Sequence, residues 1–276
     1  MTHTTQKRPP ARKKRRRQRR PPLLRPLLLL TTLLAGFLIL RGMDGGLLRW
    51  TTRLAENPLS PGDFTTVGGY VTCTAVPTRR GVDVSQYQEE VDWQQVYEAG
   101  FDFAFVRIGY RGNTTGELYA DELAQQHLTG AKNAGLDVGV YFYSQAMSPE
   151  EAAAEARWCL DFLGDTALDL PVVYDWEWVG GEARTARMDR ETLTLCAQTF
   201  CDTIEQAGHR SMIYFNSHVS RDLLDLQALQ DYPFWFAQYR DALDYEYQVD
   251  VWQYTETGTV PGIKGKVDID LMFLYG

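Results

Sequence analysis

The chain has 276 residues, of which 44% are hydrophobic and 12% aromatic; that is enough to bury a full core as one large domain plus an appendage, and it is not the composition of a disordered protein. The net charge of -8 hides two unlike parts, because eleven Lys and Arg lie between Lys7 and Arg25 and no acid precedes Asp44. The other 17 bases face 36 acids, a body of about -19, which argues against a nucleic-acid enzyme, since phosphate binding needs positive charge on the folded surface.

The basic run KKRRRQRR falls within residues 1–22. Alone it could bind RNA, but an apolar stretch follows it at once, the arrangement described by the positive-inside rule. Pro26 to Leu40 carries no charge, and starting at Leu23 admits only Arg25, whose long side chain can snorkel to the headgroups. Fifteen helical residues span about 22 Å against about 30 Å of hydrocarbon, so the helix must extend into its flanks. Residues 23–43 are therefore expected to form a single transmembrane signal anchor, with residues 1–22 a cytoplasmic arm, the remainder extracellular and the protein a single-pass cell-membrane protein. A cleaved signal peptide is the alternative, although RGMDGGLLRW after the apolar run has no clear small-x-small site. Residues 44–79, with NPLSPGD and VGGY, read as a linker.

From Arg80 onward, short apolar β-type runs alternate with helical patterns, the order expected of parallel strands joined by crossovers. The predicted strands are 80–85, 103–109, 137–144, 171–178, 211–215, 234–239, 249–254 and 267–273. Helical patterns fill 92–99, 119–134, 149–163, 187–207 and 219–229. The last three strands are separated by segments too short for a full helix. Eight strands and about five helices in residues 80–276 predict an α/β fold, an irregular, flattened β/α barrel rather than an open doubly wound sheet. No GxGxxG, GxxxxGK[ST] or GxSxG follows a strand, so nucleotide binding and the nucleophile elbow have no support.

In a β/α barrel, polar residues at the C-terminal ends of strands converge on one rim. Four acids fit that description: Asp83 in GVDVSQYQ, Asp175 and Glu177 in VVYDWEW, and Asp268 in KVDIDLMF. Asp175 and Glu177 are two apart in a strand, so alternation points both to one side and Tyr174, Trp176 and Trp178 to the other. Like charge and aromatic surroundings raise the pKa of one carboxyl group, which suits a general acid beside a negative partner, the pair that glycosidic cleavage requires. An isolated DxE is more often a surface feature, but the apolar PVVY before it argues against solvent as the destination of the two side chains. Candidate substrate contacts are Arg107, Tyr141, Tyr143, Tyr214, Trp235 and Gln253. Tyr87, Tyr110, Tyr239, Trp252 and Tyr254 are further aromatics that could stack on sugars or simply pack in the core.

His127, His209 and His218 lack metal-ligand spacing and are expected at the surface or at helix ends. Cys73, Cys159, Cys196 and Cys201 form no CxxC pair, and both free thiols and disulfides stay open. No metal is expected.

On GVDVSQYQ with VDW, FAFVRIGYRG, GVYFYS, VVYDWEW, IYFN, FWFAQY and VWQYTETGTVPGIKGKVDIDLMF, taken in order, residues 80–276 resemble the glycoside hydrolase family 25 lysozymes, the Chalaropsis-type N-acetylmuramidases. The resemblance implies hydrolysis of the β-1,4 bond between N-acetylmuramic acid and N-acetylglucosamine in peptidoglycan, without a cofactor. It makes Glu177 the general acid and Asp175 its partner carboxylate, and it adds Asp83 and Asp268 to the site. The chain departs from many members in reading YFY where an aromatic–His pair is common. Whether Asp175 attacks directly or orients the substrate's acetamido group stays open in the residue order, with substrate assistance favoured. Two other readings remain: a non-catalytic peptidoglycan-binding surface protein, and a glycosidase for another N-acetylated glycan.

Overall fold

The computed structural model describes residues 54–275. The basic arm and apolar segment expected within residues 1–43 lie outside them. No helix among the described residues is long and apolar enough to cross a membrane.

The described chain runs β1 (Phe64–Val67), β2 (Tyr70–Cys73), β3 (Thr78–Val84), α1 (Trp93–Glu98), β4 (Phe103–Arg111), β5 (Leu118–Ala120), α2 (Ala124–Ala134), β6 (Asp137–Ser144), α3 (Pro149–Leu163), β7 (Val172–Trp176), α4 (Arg190–Gln206), β8 (Ser211–Asn216), a π-helical turn (Val219–Leu223), β9 (Phe234–Ala237), β10 (Val251–Gly258) and β11 (Val267–Phe273). Eight strands close a ring in the order β3, β4, β6, β7, β8, β9, β10, β11, with β11 pairing back to β3. These are the eight strands expected from the sequence, shifted by a few residues at their ends. The β/α barrel is thus the observed fold.

The expectation of parallel strands throughout needs one correction. β11 runs antiparallel to both β10 and β3, because residues 259–266 are too few for a crossover and permit only a hairpin. Reversal brings the N-terminal start of β11 to the rim where the other strands end. Asp268 therefore reaches that rim from a strand's beginning, not from its end, and lies directly opposite Asp83.

Alternation along each strand separates two apolar layers. Phe103, Phe105, Val173, Met212, Trp235 and Val251 pack inside the barrel. Ala104, Val106, Phe142, Tyr174, Ile213 and Phe215 face outward, in the core that also holds Ala156 and Cys159 of α3 and Leu193 and Phe200 of α4. Strands buried on both faces read as continuous apolar runs, which is why they were recognisable. Three of the four described α-helices, α1, α3 and α4, start on side-chain caps: Asp92, Ser148 and Asp189 accept from the backbone N–H groups of Gln95, Glu151 and Thr192.

Four local expectations change. The pattern at 119–134 yields a helix only from Ala124, because Leu118–Ala120 pairs antiparallel with β4 and Tyr119 stacks on Tyr110 at 5.2 Å. The pattern at 219–229 yields only the π-helical turn: Leu224 is extended, and the Asp225 N–H bonds Thr194 Oγ1 of α4 at 2.9 Å. The stretch expected as a linker contains the β1–β2 hairpin, which packs on the barrel through Phe64 against Trp252 (5.2 Å) and Tyr70 against Phe101 (5.3 Å). His127, expected at the surface, is buried in α2 against Trp93. All four cysteines are free thiols.

Candidate active site

At the rim, one cleft of about 240 Å³ is lined by Asp83, Arg107, Tyr141, Tyr143, Asp175, Glu177, Tyr214, Trp235, Tyr239, Gln253, Glu256 and Asp268. All ten residues singled out as catalytic or substrate-binding candidates thus converge from β3, β4, β6, β7, β8, β9, β10 and β11 and the ends of these strands. Larger concavities exist among the described residues, such as one of about 620 Å³ and one of about 780 Å³, and neither gathers these acids.

Asp175 is the inward residue near the end of β7, held between Tyr143 of β6 and Tyr214 of β8 in strand register. Tyr174 and Trp176 point into the outer layer and are buried there. Trp178, in contrast, is 51% exposed and meets the His218 ring edge-on at 5.5 Å. Glu177 lies one residue beyond β7, half-buried, and its backbone carbonyl accepts from Gln145 Nε2 at 3.1 Å. The DxE motif therefore straddles the strand end, with Asp175 deep and Glu177 at the lip.

Gln253 ties the opposite wall together. Its Nε2 donates to Asp83 Oδ2 at 2.7 Å, while its Oε1 accepts from the Tyr214 hydroxyl at 3.0 Å and the Tyr239 hydroxyl at 3.2 Å. Trp235 forms the floor, stacked on Phe105 at 4.7 Å, with its Nε1 donating to Asp270 Oδ1 at 2.9 Å. Arg107 grips Asp121 through Nε (2.9 Å) and Nη2 (2.8 Å) and lies over the rings of Tyr87 and Tyr110.

Crowding of acids in a dry cleft sets the electrostatics. Burial holds Asp175 well above the ordinary carboxylate range; Glu177 and Asp268 push it the same way, and the Arg107 charge opposes them. Burial, then Glu256, raises Glu177. Asp268 is pushed up to about 7 by burial, then by Glu256 and Glu177. Asp83 and Asp270 are both raised well above normal, burial coming first and Asp268 second. Arg107 favours the charged form of Asp175, whereas no cation among the described residues acts comparably on Glu177. Both carboxyls of the motif are thus pushed towards their protonated forms, Asp175 the more strongly, with the Arg107 charge opposing this at Asp175.

Sequence reasoning missed two acids. Asp270 is fully buried and follows Asp268 by two in VDIDLMF, so the alternation that paired Asp175 with Glu177 also puts Asp270 inside. Glu256 had no such signal, because register shifts between Gln253 and Gly258 interrupt the alternation of β10. Among the described residues, no group of three or more His, Cys, Asp or Glu is arranged to hold a metal ion.

Residues 82–263 match the sequence profile of the glycosyl hydrolases family 25. The autolytic lysozyme of Clostridium acetobutylicum is 27% identical over 194 residues, covering 69% of this chain and 55% of that one. Lysozyme M1 of Streptomyces globisporus is 24% identical over 200 residues, covering 68% and 66%. In fold, the chain is similar to the modular autolysin LytC of Streptococcus pneumoniae, solved in complex with a synthetic peptidoglycan ligand (TM-score 0.65, 22% identity, 76% of this chain and 52% of that one). It is also similar to a family 25 glycosyl hydrolase from Bacillus anthracis (TM-score 0.57, 24% identity, 72% and 89%). The chain spans about half the length of the clostridial lysozyme and of the autolysin. On the profile match, over most of the folded region and including the cleft from Asp83 to Glu256, the chain belongs to glycosyl hydrolases family 25.

Proposed function

We propose that the chain is a peptidoglycan hydrolase that cleaves the β-1,4 bond between N-acetylmuramic acid and N-acetylglucosamine, with Glu177 as general acid. The observation that carries this reading is the placement of Asp175 and Glu177 in one aromatic cleft, one carboxyl above the other. The family, and the lysozyme and autolysin names of its relatives, support the same substrate class.

In this mechanism, Glu177 gives its proton to the glycosidic oxygen as the bond to the anomeric carbon breaks, and positive charge develops on the sugar. Asp175 orients the 2-acetamido group so that its carbonyl oxygen closes on the anomeric carbon, and the Arg107 charge favours the ionised form this role uses. Glu177, now a carboxylate, takes a proton from water, which attacks that carbon and restores the acetamido group. Asp83, fixed by Gln253, and Asp268 form the facing wall and hold the sugar's hydroxyl and N–H groups. Tyr141, Tyr143, Tyr214 and Trp235 give the sugar rings an apolar surface.

A peptidoglycan substrate supports a position for the domain outside the cytoplasmic membrane, and the same proposal covers the N-terminal segments. In this proposal residues 23–43 serve as the anchor and residues 1–22 as the basic cytoplasmic arm, which the apolar run and the basic run of the sequence support. Fractionation of the full-length protein with membranes, and removal of the domain by protease added to intact cells, are the expected results; a shortened soluble form in the medium would contradict anchoring.

The test of activity is clearing of a purified peptidoglycan suspension. Wild type is expected to clear it and Glu177→Gln to fail while still binding. Equal inactivity of both would make the protein a glycan-binding surface protein instead.

A further inference from the structure

A second concavity, of about 620 Å³, opens beside the cleft between the β1–β2 hairpin and the end of β10. Tyr239 lines both. It is half exposed, and its hydroxyl is fixed on Gln253. On β10, Glu256 lines the cleft while its neighbours Thr255 and Thr257 line the groove, so the two spaces adjoin at one strand end with Tyr239 between them.

The far wall is supplied by Thr66, Gly68, Gly69, Tyr70 and Val71, all before residue 82, where the family match begins. That wall is fixed: Tyr70 packs on Phe101, lies under the Arg80 guanidinium at 4.6 Å, and donates its hydroxyl to the Thr259 carbonyl at 3.2 Å. The lining is mostly uncharged, with four threonines and three tyrosines. Of its two charged residues, Arg240 is paired with Asp244 at 2.9 Å, and Asp241 is the other. Neutral hydroxyls beside the exposed ring of Tyr239 suit a pyranose chain better than an ionised peptide.

We propose that this hairpin-walled groove is an extended subsite that takes the continuation of the glycan strand past Tyr239, so that the chain favours long glycan strands over short ones. The assignment rests on the glycan-cleaving reading above, but its test does not depend on turnover. Calorimetry with the full-length chain carrying Glu177→Gln compares peptide-free glycan strands of four and eight sugars. The longer strand is expected to bind about tenfold tighter. Adding Thr66→Trp, which fills the groove from an exposed hairpin position, removes that advantage. Adding Thr65→Trp, on the opposite face of the same strand, keeps it. Equal binding of both lengths, an advantage that survives Thr66→Trp, or one seen only when stem peptides are present would overturn the groove. A length advantage in a protein whose wild type cleaves nothing would instead leave the groove standing and remove the hydrolase.

Discussion

Gln253 and Asp83 are separated by 170 positions in the chain yet meet through a 2.7 Å hydrogen bond inside the barrel mouth. The same amide receives two tyrosine hydroxyls on its oxygen, so one buried side chain sets the position of a carboxyl group and two phenols. Breaking this network is costly, since the Asp83 and Tyr214 groups it would release are buried and lose a bond that water does not readily replace.

Gln253→Leu is accordingly expected to lower thermal stability by about 1–3 kcal/mol and to reduce kcat/KM by about 10- to 100-fold, on the order of one lost positioning bond. Differential scanning calorimetry and muropeptide release measure the two. Unchanged activity would show that Asp83 needs no positioning.

Asp270 lies one inward step below Asp268, under the cleft floor. Asp270→Asn keeps an oxygen for the Trp235 N–H and removes one acid from the cluster, so it is expected to fold and to relieve the upward pressure on Asp83, whose carboxyl would then titrate at lower pH. Asp270→Leu leaves Trp235 Nε1 buried without an acceptor and is expected to cost about 1–3 kcal/mol. Carbonyl-region NMR titration and urea unfolding check this pair of results; equal stability of the two variants would contradict the role given to the Trp235 bond.

Asp268 gives a pH dependence with a definite sign. Its carboxyl titrates near 7 in the folded chain against an ordinary value of 3.8. Between those limits the folded state holds a proton that the unfolded chain has released. The stability tied to this group is full at low pH and is lost as pH rises through about 7. Asp268→Asn is expected to flatten that loss and to stabilise the chain at pH 8 by on the order of 1–2 kcal/mol. Removing the charge also relieves Asp175. Urea melts at pH 5 and pH 8 decide it, and a variant that loses stability at pH 8 would be the wrong sign.

The barrel strands were legible because each is covered on both faces, which leaves apolar runs such as PVVY and FAFVRI bounded by turns. The pairing of Asp175 with Glu177 followed from alternation alone. Strand direction did not, since alternation is the same read either way; the short segment before β11 was the available signal. The β1–β2 hairpin was missed although VGGY holds its turn, with Gly68 and Gly69 at φ 62° and 89°, the positive values that a two-residue hairpin loop requires. Its strands are short and largely exposed, and the contacts that hold them, Phe64 on Trp252 and Tyr70 on Phe101, come from residues distant in sequence. Glu256 was hidden by the irregular register of β10, while Asp270 was readable by a rule applied two residues too early.

The most direct measurement of the central claim is mass spectrometry of the products released from purified peptidoglycan in ¹⁸O-labelled water, with wild type and Glu177→Gln run side by side. The account predicts fragments with N-acetylmuramic acid at the new reducing end, one solvent oxygen at its anomeric carbon, and a rate lower by about 10²- to 10⁴-fold in the variant. Fragments ending in N-acetylglucosamine, or a variant that releases products as fast as wild type, would contradict it.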